Sequence, residues 1–138
     1  MKKAVIVYQS KTGITENFGK EISKFIAGKG IETQTISIKE YKDGLVETAD
    51  YLLLGCWTAG FMLLFQHPDF AWKQFASKLP VLPGKKIALF TTYKIATGSM
   101  FKSMKKHLGN SESVLIELKS KKGNLSEENK AVLERFLA

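Results

Sequence analysis

The chain has 138 residues, 44% of them hydrophobic, a formal net charge of +8 and one cysteine, Cys56. That length is expected to form one compact domain, 1–138, able to bury roughly two thirds of its unfolded surface. A single thiol excludes an internal disulfide and, with His67 and His107 the only histidines, leaves too few ligands for a structural metal.

The apolar run after Lys2 and Lys3 is five residues long, too short for a signal-peptide core or a membrane span, so a cytoplasmic protein is expected. Residues 3–8 read as a buried strand. Ile14, Phe18, Ile22, Phe25 and Ile26 then fall on one helical face, which Gly28 and Gly30 end. A second strand is predicted at 33–38 and a third at 51–54, where Tyr51-Leu52-Leu53-Leu54 is apolar on both faces, as in a covered parallel sheet. Only a weak, short helix fits between them. Pro68 is placed in the first turn of a helix carrying Phe70, Trp72, Phe75 and Leu79. A fourth strand follows at 86–92, a helix at 100–108 and a fifth strand at 114–118. Ser126 caps the last helix, with Glu127 and Glu128 complementing its dipole and Val132, Leu133, Phe136 and Leu137 facing the core. Five strand–helix units in alternation indicate an α/β fold.

Ligands of such sheets bind beyond the carboxyl ends of the strands, where the strand order reverses. Three loops lie there, at 9–15, 55–67 and 91–99. The first places Ser10, Thr12, Thr15, Lys11 and Gly13 between a buried strand and the first turn of a helix. The first amides of a helix lack internal partners and its dipole favours negative charge, so this is a candidate anion site. The alternative is a hydroxyl-rich turn serving only its own backbone. The Walker pattern Gly-x-x-x-x-Gly-Lys-Ser/Thr and the dinucleotide pattern Gly-x-Gly-x-x-Gly are both absent. The only arginine is Arg135, so the cysteine–arginine loop of a small phosphatase is missing. The carboxylates of a receiver domain are missing as well.

Val5-Ile6-Val7-Tyr8 followed by Ser10-x-Thr12-Gly13-x-Thr15 resembles the FMN-phosphate loop of the flavodoxins. Leu54-Gly55-Cys56-x-Thr58-x-Gly60 is similar to the start of that family's second flavin loop. The resemblance covers nearly the whole chain. It implies a flavodoxin-like three-layer α/β/α sandwich with a five-stranded parallel sheet of order 2-1-3-4-5, and FMN as cofactor. By the same resemblance Ser10, Thr12, Thr15 and the amides of residues 11–15 would hold the phosphate, with Gly13 permitting close approach. Lys11 would add a charge-assisted contact or point into water. Ile14 stands where the family often has a small polar residue, at a cost of one hydrogen bond.

The ring site departs further from the family. In the second loop (Trp57, Thr58, Ala59, Gly60) the tryptophan comes two positions early, with Ala59 at the usual place of the stacking aromatic; Trp57 either stacks by another path or packs into the sheet edge. The third loop (Thr91, Thr92, Tyr93, Lys94) falls where the family has a glycine-rich turn and often an acid. Tyr93 is the candidate for the opposite flavin face, with Thr92 and backbone groups at the pyrimidine edge. A lysine at position 94 near the ring would make the second flavin potential less negative than is usual for the family, unless it points into water.

All of the net charge lies between Ala71 and Ser111, which holds eight lysines and no carboxylate. Flavodoxins are typically acidic, so the inverted sign implies an acidic redox partner or an anionic, electron-poor substrate. Nucleic acid is disfavoured, with one arginine and no recognition motif. The run Phe61-Met62-Leu63-Leu64-Phe65 is apolar where a flavin loop is usually polar. Two or three of the five are expected to begin the third helix and enter the core; the others could cover a flavin, line a quinone pocket, or make a partner, membrane or homodimer contact. His67 reads as a loop or capping residue and Cys56 as a buried apolar group. The leading reading is an FMN-dependent electron carrier. The alternatives are a small FMN-dependent reductase of quinone-like substrates, and an interaction module without FMN.

Overall fold

The computed structural model describes residues 1–61, 64–81, 83–109 and 111–138. Five strands form one parallel sheet: β1 (Lys3–Gln9), β2 (Glu32–Ser37), β3 (Tyr51–Trp57), β6 (Lys86–Thr92) and β7 (Val114–Ser120). Their order is β2-β1-β3-β6-β7, which is the expected 2-1-3-4-5 when these five are counted alone. Helices α1 (Ile14–Ala27) and α4 (Glu127–Leu137) cover one face, while α2 (Phe70–Ser77) and α3 (Met100–Lys106) cover the other.

The alternation of side chains along each central strand divides the core in two. Ala4, Ile6 and Tyr8 of β1 meet Phe18, Ile22 and Ile26 of α1, together with Leu133 and Phe136 of α4. Val5 and Val7 point the other way, toward Trp72 and Ala76 of α2 and Met100 and Met104 of α3. Because both faces of β1, β3 and β6 are covered, these strands are buried at nearly every position and apolar through their middles. Phe90 of β6 lies across the sheet over Gly55, where an added Cβ would come within 2.1 Å of the ring. That packing, not backbone conformation, calls for glycine there.

The connection from β2 to β3 holds only the short 3₁₀ turn Val46–Thr48, in keeping with its weak helical pattern. Ser126 caps α4 by accepting from the Asn129 amide at 3.0 Å, and of the four core residues expected on that helix Leu133 and Phe136 are buried, with Val132 and Leu137 partly so.

The segment before α2 differs from expectation. Pro68 precedes the helix, and Asp69 is the N-cap, its carboxylate accepting from the Trp72 amide at 2.9 Å. A carboxylate cap outcompetes the proline signal because it both bonds an orphan amide and suits the dipole. Phe70 is 71% exposed, so the buried stripe is Trp72 and Ala76 rather than one starting at Phe70. Of the apolar run before it, Phe61, Leu64 and Phe65 lie in strands rather than at the start of a helix. Instead β4 (Ala59–Phe61) pairs antiparallel with β5 (Leu64–His67) as a small hairpin, and Phe65 is 80% exposed at φ 59°. Gly60 makes the hairpin possible: at φ 130° it passes so close to β5 that a Cβ would lie 2.8 Å from the Phe65 carbonyl oxygen. Met62 and Leu63 lie outside the described residues. Among those described, no helix is long and apolar enough to cross a membrane.

Candidate functional site

A cleft of about 450 Å³ opens at the carboxyl ends of β1, β3 and β6. Its first wall is the turn between β1 and α1. Gly13, at φ 92° with nothing within 4 Å of the place of a Cβ, turns the chain into α1. Ser10 Oγ accepts from the amides of Gly13 at 3.0 Å and Glu16 at 3.2 Å, so its hydroxyl holds the turn in shape. The amides of Ile14 and Thr15, the first two of α1, meet no acceptor among the described residues. Two amides directed from a helix start, beside an open left-handed glycine and a Thr12 hydroxyl that meets no partner among the described residues, form a donor set suited to a phosphate.

Thr15 does more than was expected of it. Its hydroxyl is buried and lies 2.6 Å from that of Thr92, tying the first loop to the third. Beside it the Tyr8 hydroxyl donates to Glu16 at 2.9 Å. Burial first, then this bond, pushes the Tyr8 phenol up to about 12, while the same bond and Lys20 hold Glu16 below the usual carboxylate range.

Trp57 ends β3 and is fixed on two sides. Its indole N–H donates to Asp69 at 2.9 Å, and the Lys11 ammonium lies 4.8 Å from the ring centroid. The same Asp69 oxygen accepts from the Gln9 side-chain amide at 2.9 Å, so one carboxylate joins β1, β3 and α2 beneath the cleft. Thr58 is held by its amide bond to the Thr92 carbonyl and by a 2.7 Å contact to the Thr91 hydroxyl. Thr91 is fully buried and donates to the Cys56 carbonyl at 2.6 Å. It braces the loops from below. Burial pushes the Cys56 thiol well above its ordinary range, so it stays protonated and inert.

Of the residues selected from sequence, Lys11, Thr12, Ile14, Thr15, Trp57, Thr58, Ala59, Gly60, Thr92, Tyr93 and Lys94 line this one cleft. Ser10, Gly13 and Thr91 do not; they shape its walls. Four lining residues were missed: Gln66, Ile95, Ala96 and Lys121. Gln66 belongs to the unforeseen hairpin, where it is buried against Gly98, and the Ser99 hydroxyl donates to its carbonyl at 2.9 Å. Lys121 lies in a fourth strand-end loop, after β7, that the alternation of elements could have revealed. That loop is fastened to α1 by Asn17, whose side-chain amide donates to the Gly123 carbonyl at 3.0 Å.

A 2-1-3-4-5 parallel sheet with an amide-lined turn after its first strand and a cleft between its strand-end loops defines an α/β protein built to hold a phosphorylated ligand. A profile for the flavodoxin domain matches residues 5–136, and the chain belongs to the flavodoxin family, whose members bind FMN and transfer electrons. The flavodoxin of Megasphaera elsdenii is 30% identical over 112 residues, covering 80% of each chain. That of Clostridium beijerinckii is 28% identical over 113 residues, 81% of this chain and 80% of its own. Among solved structures, the two-electron reduced Megasphaera elsdenii flavodoxin superposes with a TM-score of 0.74 at 22% identity, over 96% of this chain and 97% of that one. Oxidised flavodoxin 2 from Bacillus cereus gives 0.74 at 21% identity, over 97% and 94%. These structural likenesses establish the fold.

Proposed function

We propose that this flavodoxin holds FMN in the cleft described above and passes electrons to an acidic protein partner. The observation that carries the reading is the pair of unbonded amides at Ile14 and Thr15 beside Gly13, within a cleft that Trp57, Tyr93 and Thr92 also line. Those amides and Thr12 would hold the phosphate, and Thr15 and Thr92 tie the first and third loops together beside them. Tyr93 and the Trp57 side of the cleft exclude water from the ring. Bound FMN supplies the redox chemistry; the chain's share is binding, orientation and electrostatics. A cytoplasmic carrier is part of this reading.

The inverted charge supports the acidic partner. Of the eight lysines in the span 71–111, Lys73 lies on α2, Lys86 on β6 and Lys102, Lys105 and Lys106 on α3, with the other three in adjoining loops. Lys105 is offset by Glu117 at 2.5 Å. Phe65, projecting from the hairpin, supports an apolar contact with the partner or with a second copy of the chain. A reductase of quinone-like substrates is favoured by Lys94 and Ile95 on the cleft wall, where the family often carries an acid.

The deciding experiment is titration of purified protein with FMN, read by visible absorbance and tryptophan fluorescence, with riboflavin as the phosphate-free control. Tight FMN binding and weak riboflavin binding are expected. Failure of FMN to bind would leave only the interaction-module reading. Direct oxidation of NAD(P)H by the holoprotein would favour the reductase; reduction solely through a protein partner would favour the carrier.

A further inference from the structure

The cleft wall carries Lys11, Lys94 and Lys121, each from a different loop, and no aspartate or glutamate lines it. Acids near it are engaged elsewhere: Glu16 faces Tyr8 and Lys20, Asp69 faces Trp57, Gln9 and Trp72, and Glu117, four residues before Lys121, pairs with Lys105. Among the described residues none of the three lysines forms an ion pair, since the four salt bridges are made by Lys20, Lys29, Lys105 and Lys130. The loop that carries Lys121 is anchored: the Gly123 amide donates to Ser120 Oγ at 2.9 Å, and Asn17 of α1 holds the Gly123 carbonyl. An uncompensated cluster of this kind, partly walled by protein, acts on any anion in the cleft more strongly than scattered charges in water.

Three ammonium groups exceed the two negative charges of an FMN phosphate. Uptake of two electrons and one proton by the flavin adds one more negative charge, on the ring. We infer that the cleft binds reduced, anionic FMN more tightly than oxidised FMN, and that Lys11, Lys94 and Lys121 supply the preference. This rests on the FMN reading above and deepens it. By linkage, tighter binding of one form shifts the equilibrium toward that form, and about tenfold in affinity raises the two-electron midpoint by about 30 mV.

The test compares dissociation constants for oxidised FMN and for FMN reduced with dithionite under nitrogen, in the wild type and in Lys11→Gln, Lys94→Gln and Lys121→Gln. All three sites are exposed, so the variants are expected to fold. Reduced FMN should bind about tenfold or more tightly than oxidised FMN, the effect of one unit charge ~12 Å away at an effective dielectric of about 20. Each glutamine should lower that ratio several-fold, each arginine at the same position should retain it, and added salt should shrink it. Equal or weaker binding of the reduced form in the wild type would overturn the inference. So would glutamine variants that weaken both forms equally, since the lysines would then serve the phosphate alone. Failure of the underlying reading has a different signature: oxidised FMN would not bind at all.

Discussion

Replacing Asp69 by alanine removes four functions of one carboxylate: the cap of α2, the acceptor of the Trp57 indole, the acceptor of the Gln9 amide, and the join between three elements under the cleft. Loss of a helix cap costs about 1 kcal/mol. Each hydrogen bond to a charged acceptor contributes about 1.5–3 kcal/mol when buried and less where water can replace it. Trp57 and Gln9 are half-buried, so about 1 kcal/mol each is expected, for a total of about 3 kcal/mol. In a chain of 138 residues that is a fall of roughly 10–15 °C in Tm. Asp69→Asn keeps an oxygen for the Trp72 amide but turns a donor toward Trp57 and Gln9, and should lose about two thirds as much. Urea unfolding followed by circular dichroism measures both, and Trp57 emission should shift as the ring is released. A loss in Asp69→Ala no greater than about 1 kcal/mol would refute the reasoning, because the cap alone would account for it.

Gly55→Ala drives a methyl into the Phe90 ring and should cost at least about 2 kcal/mol in urea unfolding; a loss below about 0.5 kcal/mol would mean the ring moves aside freely. Phe65→Gly relieves a left-handed aromatic residue that buries little of its ring, and should raise the urea midpoint by the equivalent of about 1 kcal/mol, whereas a fall would show the ring to be packed. The Tyr8 phenol holds its proton to about 12 in the folded chain and loses it near 10 when unfolded. The folded state therefore binds more protons between those values, and stability should decline as pH rises through that window by up to about 2–3 kcal/mol. Tyr8→Phe should remove this decline, as unfolding measured across alkaline pH would reveal; an undiminished decline in the variant would assign it to other groups.

The three central strands β1, β3 and β6 were legible because they are buried on both faces, so their apolar runs stand out against polar surroundings. Helix α1 was legible for a related reason, its stripe of Phe18, Ile22 and Ile26. What failed was the stretch from Ala59 to Asp69. Its apolar residues carry no period, and a hairpin turned by Gly60 against Phe65 depends on a close backbone crossing that no local pattern announces. Asp69 was passed over because Pro68 beside it gave a stronger punctuation signal. The cleft itself was largely readable, since phosphate chemistry constrains the residue types of the first loop. Its bracing was not: Thr15 with Thr92, and Thr91 with Thr58, are bonds between loops distant in sequence. Lys121 carries no local signal, because within Lys119-Ser120-Lys121-Lys122 it looks like any solvated charge and only the fold brings its loop beside α1.

The placement of the lysines has a consequence for how the molecule meets other bodies. With the segments outside 71–111 electrically balanced, and Lys73, Lys102, Lys105 and Lys106 of the surplus on α2 and α3, the layer opposite α1 and α4, positive charge is weighted toward that side. A body so built carries a permanent moment, and a field gradient turns it before it pulls it closer. Drifting toward an anionic surface, the protein rotates to lead with its lysine-rich side, so the angle of first touch is chosen while the two are still separated by water.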